Sequence, residues 1–527
     1  MLSEQIRWPS AADSVSSVDS AGSVDSIDSA GSARPAGVTQ PVEVAGSADS
    51  VELPSVVSPP SSHRHYMAVL VALGICGGGL YGYTLTFLSG ALVSMNFDGS
   101  NRPLSAWDQS VLTAVMLLGS AIGSYVGGEL ADRFGRKRLI IAGGITAVVG
   151  ALLCALATSF GGFLAGRFIV GFAIGITECV IPIYLGEMAP ANRRGFIVSV
   201  NSVMINVAQL AASLVNAVLV SVADWHAMVW AAVVPTVLLT VVALVIKEAP
   251  TFSGRQSDVS NKRDVTTVSS PKQDSSSQAD SDTNVVLEQA TSPRSANQAN
   301  RSAAKAPTFR APWLRRVLFV GIGVAMINQL IGCNAINYFA PTMFSSTLGI
   351  DPHNSVVAMV PVMAASAVAA IIGGLIFIDR INRRTFLIVG LCGSSFFLAA
   401  VGLCYLFIDS KHPNPALSWV LIGLVMCYLA FAQGMVSPVT WLLITEIFPS
   451  FVRGKGVGYA NVVINITNFV ISLVFLPLLN TVGSAGTFFI FALINVGSAC
   501  FSKVYVPETR GKTLDQIEHE ARARVSA

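Results

Sequence analysis

Charge is scarce in this 527-residue chain: 12% of residues are Asp, Glu, Lys or Arg. A soluble domain carries about 25%. The shortfall excludes water as the main solvent and points to lipid. Net charge is only +3, too little to attract nucleic acid, so no nucleic-acid partner is expected. The eight cysteines fall inside apolar stretches, with no disulfide framework and no metal-ligand spacing. They read as small packing residues. No catalytic constellation, phosphate-binding loop or metal site is visible, so neither an enzyme nor an ATP-driven pump is expected, and no cofactor. No cleavable signal peptide is expected either, because the first long apolar run begins near residue 67.

Long apolar runs are abundant. Residues 139–157 carry no charge over 19 positions, and about 20 such residues span a bilayer as a helix. Twelve spans are expected, near 67–92, 109–130, 139–158, 163–184, 195–219, 226–246, 317–345, 355–378, 385–408, 417–443, 456–479 and 485–506. These are too long for the alternating segments of a membrane barrel. The fold class is therefore an all-α membrane protein with two six-helix bundles, residues 67–246 and 315–506. Residues 1–66 (with the stuttering SVDSAGSVDSIDSAGS) and 247–314 are polar and Ser-rich, a disordered tail and a largely disordered linker. Residues 507–527 form a short tail.

Eleven basic residues follow spans 2, 4, 8 and 10: Arg133, Arg136, Lys137, Arg138, Arg193, Arg194, Arg380, Arg383, Arg384, Arg453 and Lys455. The short loops on the other side carry two, Arg102 and Lys411. The bias places the basic loops, both termini and the linker in the cytoplasm.

The chain also repeats itself. GEMAPANRRG (186–195) and TEIFPSFVRG (445–454) set Glu187 against Glu446 and Arg194 against Arg453, each 259 residues apart. GGELADRFGRKR (127–138) and GGLIFIDRINRR (373–384) likewise match Asp132 with Asp379. Duplicated helical halves with a substrate site between them are a transporter design. Acid and base at matching helix ends suggest a conformational latch of Asp132, Arg133, Arg136, Arg167, Glu187 and Arg194 in one half, and Asp379, Arg380, Glu446 and Arg453 in the other. The plainer reading is that these charges only fix topology.

Polar residues inside spans cost free energy unless they line water or meet a partner. Span 5 has Ser202, Asn206, Gln209, Ser213 and Asn216 on one helix face. Span 7 has Asn328, Gln329, Asn334 and Asn337 around Gly332, span 10 has Trp441, and span 11 has Asn461, Asn465, Asn468 and Ser472. Amides both donate and accept, which suits a neutral polyhydroxyl ligand, and an aromatic ring can pack on a pyranose. The competing reading is glue between helices.

The motifs LADRFGRKR (130–138), PIYLGEMAPANRRG (182–195), NQLIGCNAINYFAP (328–341), PVTWLLITEIFPSFVRGKG (438–456) and VPETRGKTLDQIE (506–518) resemble the sugar porters of the major facilitator superfamily. The resemblance implies the major facilitator fold in a multi-pass protein of the plasma membrane. It implies a hexose carrier working by alternating access. Its sugar contacts would fall on Asn328, Gln329, Asn334, Trp441, Gln209 and Ser202, with Asn337 and Asn465 nearby. The pattern is broken elsewhere: Ala367 and Ile464 stand where the family has amides, and KEAPT (247–251) keeps part of its motif after span 6.

Proton-coupled members carry Asp after Gly-Tyr in span 1, paired with the span 4 Arg, here Arg167. This chain has Thr84, so facilitative uniport is expected. Glu178, inside span 4 and about 16 Å along the axis from Arg167, keeps a second reading open. A carboxyl within a span can serve as a proton site for a sugar or polyol symporter. It could instead accept bonds from a sugar, meet a cationic ligand or pair with a base. A sugar sensor and an organic-cation carrier are the rivals from other classes.

Overall fold

The computed structural model describes residues 63–526, apart from 96, 98–103, 191–193, 223–224, 249–310, 349–350, 379, 408–414, 450–451 and 513. Residues 1–62 of the expected tail (1–66) and nearly all of the expected linker lie outside the described residues, while residues 63–66 are already helical.

Spans 1 to 5 are single helices: α1 (His63–Ser94), α2 (Ala106–Phe134), α3 (Arg136–Leu156), α4 (Phe160–Met188) and α5 (Arg194–Val222). Span 6 is α6 (Trp225–Ala231) continued by α7 (Val233–Val245). Span 7 is α8 (Pro312–Leu330) and α9 (Cys333–Leu348). Span 8 is α10 (Pro352–Val357), α11 (Met359–Ile371) and a π-helical stretch, Ile372–Phe377. Span 9 is α12 (Arg383–Leu406). Span 10 is α13 (Pro415–Phe431), a π-helical stretch Ala432–Val436, and α14 (Ser437–Ile447). One apparent helix, α15 (Arg453–Tyr505), is two, because the chain leaves helical geometry at Gly483 (φ 82°, ψ 162°). Spans 11 and 12 are its two arms. An amphipathic helix, α16 (Leu514–Ser526), follows.

The exterior is apolar to a degree that only lipid accommodates. In span 6, Val234, Val237, Leu238, Val241, Leu244 and Val245 are all exposed. Polar side chains are turned inward instead, and among them Ser124, Asn216, Asn337, Asn465 and Thr440 are almost fully buried.

Three breaks in regular helix prepare the interior, one each in spans 7, 8 and 10. Gly332 joins α8 to α9 with φ +86°, a conformation L side chains rarely adopt, and a Cβ there would lie 2.8 Å from the Phe491 ring. The turn frees the Ile331 carbonyl, which accepts from the Tyr428 hydroxyl (2.7 Å) and the Asn495 amide (3.4 Å). The break is therefore built in, with its exposed acceptor satisfied. In spans 8 and 10 the two π-helical stretches touch backbone to backbone, since a Cβ on Gly373 would overlap the Gly434 carbonyl. π-Helical turns re-aim the side chains beside them, and here they include Gln433.

Candidate functional site

A cavity with about 410 Å³ of empty volume lies where the two halves of the chain meet. Span 1 contributes Tyr81 and Leu85. Span 5 contributes Ser202, Ile205, Asn206 and Gln209. Span 7 contributes Asn328, Gln329, Cys333 and Asn334, and span 10 contributes Gln433, Ser437 and Trp441.

The span 7 amides form an ordered chain across the Gly332 break. Asn334 Nδ2 donates to Gln329 Oε1 (2.7 Å). Gln329 Nε2 donates to Asn328 Oδ1 (2.7 Å), and Asn328 Nδ2 donates to Thr440 Oγ1 in span 10 (2.5 Å). Each amide keeps its second donor or acceptor sites for whatever fills the cavity. From the opposite wall, Gln209 Oε1 is buried without a protein partner. The cavity thus offers hydrogen-bonding amides and hydroxyls on both sides, with Trp441 as a flat apolar wall and no charged side chain in its lining.

Of the residues singled out from sequence, the structure brings Ser202, Gln209, Asn328, Gln329, Asn334 and Trp441 to this cavity. It places Asn337, Asn465 and Glu178 elsewhere. Asn337 is fully buried, and neither amide atom has a hydrogen-bond partner. Asn465 donates to the Asn461 carbonyl (3.0 Å) and to Ser124 of span 2 (3.5 Å). Asn468 donates to the Tyr338 hydroxyl (3.1 Å) and accepts from Ser472 (3.4 Å). The span 11 stripe is packed on its neighbours. The upper part of the span 5 stripe behaves the same way, with Asn216 bonded to the Thr86 and Phe87 carbonyls at 3.3 and 3.1 Å.

Tyr81, Leu85, Ile205, Asn206, Cys333, Gln433 and Ser437 complete the lining. Asn206 was visible as part of the span 5 stripe. Gln433 had a signal too, as an amide inside an apolar span. Ser437 and Tyr81 had none, because Ser and Tyr are common in helices of any setting.

At the basic end of the helices, Arg136 Nη2 lies 3.2 Å from Glu187 Oε1, and Arg383 Nη2 lies 3.8 Å from Glu446 Oε1. The duplicated phrases therefore build duplicated ion pairs. Arg383 takes the place expected for Arg380, which is exposed, as is Arg133. The side chains of Asp132, Arg194 and Arg453, and residue Asp379, lie outside the described residues.

Two further carboxylates repeat. Glu248 accepts from the Lys137 backbone N–H (3.3 Å) at the start of α3. Glu508 accepts from the Arg383 and Arg384 N–H groups (3.0 and 3.1 Å) at the start of α12. Each sits at the positive end of a helix, where an anion is favoured. Their sequence signal lay in KEAPT and PETRG, which each place Glu just after a sixth span.

Arg167 sits apart from these pairs. It is 1% exposed, donates to the Thr84 carbonyl (3.3 Å) and lies 5.5 Å from the Phe87 ring centre. The Thr84 hydroxyl is bound to the carbonyls of Leu80 and Tyr81 in its own helix. The two halves touch on either side of the cavity: Lys455 is 3.9 Å from Glu129 at the basic end, and Thr342 donates to Gln109 (3.3 Å) at the other.

Comparison with known proteins agrees with this geometry. The model of the family described as sugar (and other) transporter matches residues 60–521. The glucose transporter GlcP of Staphylococcus epidermidis is 31% identical over 461 residues, 87% of this chain and 98% of its own. The major myo-inositol transporter IolT of Bacillus subtilis is 30% identical over 466 residues, 87% and 95% of the two chains. Among solved structures, the major facilitator proton:xylose symporter XylE bound to 6-bromo-6-deoxy-D-glucose superposes with a TM-score of 0.68 at 22% identity, covering 87% of this chain and 99% of that one.

Proposed function

The chain belongs to the sugar (and other) transporter family of the major facilitator superfamily, and on that premise we propose that it carries a hexose by facilitative uniport. It is a multi-pass membrane protein and a sugar transporter, not an enzyme. The observation that supports the hexose reading best is the uncharged amide- and Trp-lined cavity between the halves. A neutral ligand with many hydroxyls can satisfy both donors and acceptors of Asn328, Gln329, Asn334 and Gln209, and its apolar ring face can lie on Trp441. A relative of similar length is a glucose transporter, which supports the same substrate class.

In this reading the two halves rock about the cavity as two six-helix bundles. The Lys455–Glu129 contact parts when the basic end opens, and the Thr342–Gln109 bond parts when the other end does. Arg136–Glu187 and Arg383–Glu446 hold the helix ends of each half together. The basic end faces the cytoplasm of the plasma membrane. Uniport is supported by span 1: Thr84 gives Arg167 a backbone carbonyl and no carboxyl, so the position that would couple a proton is silent.

Labelled glucose uptake into proteoliposomes tests the reading. Saturable uptake is expected, competed by unlabelled hexoses and indifferent to organic cations. Competition by the cations and not by the hexoses would overturn it.

A further inference from the structure

Glu178 is the buried acid that the uniport reading leaves unused. It lies in α4, in the first half of the chain, and is 9% exposed. Neither carboxyl oxygen accepts a hydrogen bond of full geometry, because the Asn465 amide beside it donates to the Asn461 carbonyl and Ser124 instead. Its neighbours come from both halves. Tyr81 faces it from span 1, Tyr338 from span 7 and the Asn465 amide from span 11. Both phenols ionise only near pH 10 in ordinary surroundings. Arg167 faces Tyr338 and Cys154 rather than Glu178, so it supplies no counter-charge there. Ser124 of span 2 is held by the Gly175 carbonyl and Asn465.

A carboxylate without a counter-charge is strongly disfavoured in such packing. The cost applies only while the halves are closed on it. When they part, water reaches the group and the cost falls away.

We propose that Glu178 is a proton-binding site that gates closure of the two halves: the closed packing forms only with a proton on Glu178. The proposal rests on the sugar-carrier reading. The carrier passes through the closed packing on both the loaded and the empty stroke. The proton then travels with each, and no net coupling to sugar results. Rate responds to pH while accumulation does not. Because closure draws on the protonated fraction, exchange should fall as pH rises, by roughly tenfold per unit above the midpoint of the open form.

The experiment is equilibrium exchange of labelled glucose in proteoliposomes, with equal sugar and equal pH on both sides, stepped from about pH 5.5 to about pH 8.5. Wild-type exchange should be fast in acid and decline towards alkali. Glu178→Gln, neutral at every pH, should exchange at the wild-type acid rate throughout. A wild-type profile flat with pH would overturn the gate, and that result does not depend on any variant folding. A Gln variant that declines in parallel with wild type would overturn it as well, by placing the titration elsewhere. Sugar accumulation driven by an imposed proton gradient and lost in Glu178→Gln would replace the gate with a coupling site and remove the uniport reading. If wild type exchanged no glucose at acid pH, the hexose reading itself would fail.

Discussion

Spans 7 and 11 carry the same chemistry and put it to different use. Each holds several buried amides on one face. In span 7, Asn328, Gln329 and Asn334 line the cavity and are linked through their side chains to Thr440. In span 11, Asn465 and Asn468 are bonded to Ser124 and Tyr338 of neighbouring helices, away from the cavity. Span 7 is broken at Gly332, whereas the span 11 arm runs unbroken to Gly483. The continuous span 11 helix packs its polar face on other helices, which occupies the Asn465 and Asn468 amide N–H groups. In span 7 the amides flanking the break bond one another and Thr440 at the cavity wall, and each keeps further donor or acceptor sites for a ligand. Residue type therefore does not decide between glue and binding site; what each face packs against does, and span 5 shows it within one unbroken helix, with Gln209 at the cavity and Asn216 on span 1.

The contrast is broken most severely at Gly332. Gly332→Ala forces a Cβ onto the Phe491 ring at 2.8 Å. It also adds about 1–3 kcal/mol of backbone strain. Sugar uptake should be abolished and detergent-solubilised protein should melt at lower temperature. Retained uptake with an unchanged melting temperature would show that the break is incidental.

Thr440→Val sharpens the contrast with a smaller change. It removes the acceptor of the Asn328 amide and leaves the cavity wall otherwise intact. An unpaired buried donor costs about 1–3 kcal/mol, so apparent affinity should weaken roughly tenfold, read as KM in uptake. Smaller still is Ser472→Ala in span 11. It deletes one bond to Asn468, worth about 0.6 kcal/mol on average inside a membrane. KM should stay unchanged, with a slight fall in melting temperature.

Much of the architecture was legible in the sequence. Hydropathy located the spans, and the gap near Gly483 separated the last two. The repeated phrases at 187 and 446 marked ends that do carry equivalent ion pairs. What periodicity could not supply was the identity of the facing surface. The regular spacing of Asn461, Asn465 and Asn468 defines a face, yet whether that face meets a cavity or Tyr338 depends on the neighbouring helix. Charge pairing had the same limit. Arg380, Arg383 and Arg384 are near-equivalent in sequence, and helix geometry selects Arg383 for Glu446. KEAPT and PETRG mark Glu248 and Glu508, but the backbone N–H groups they accept from leave no mark in a sequence.

The most direct measurement is equilibrium binding of labelled glucose to purified Gln329→Ala and Asn468→Ala beside the wild type. Gln329 loses contacts that only a bound ligand would complete, so its variant should bind at least about tenfold more weakly, equivalent to roughly 1.4 kcal/mol. Asn468→Ala should bind as the wild type does and lose only a little stability. The reverse pattern, with weakened binding in Asn468→Ala and none lost in Gln329→Ala, would contradict the assignment of the cavity as the sugar site.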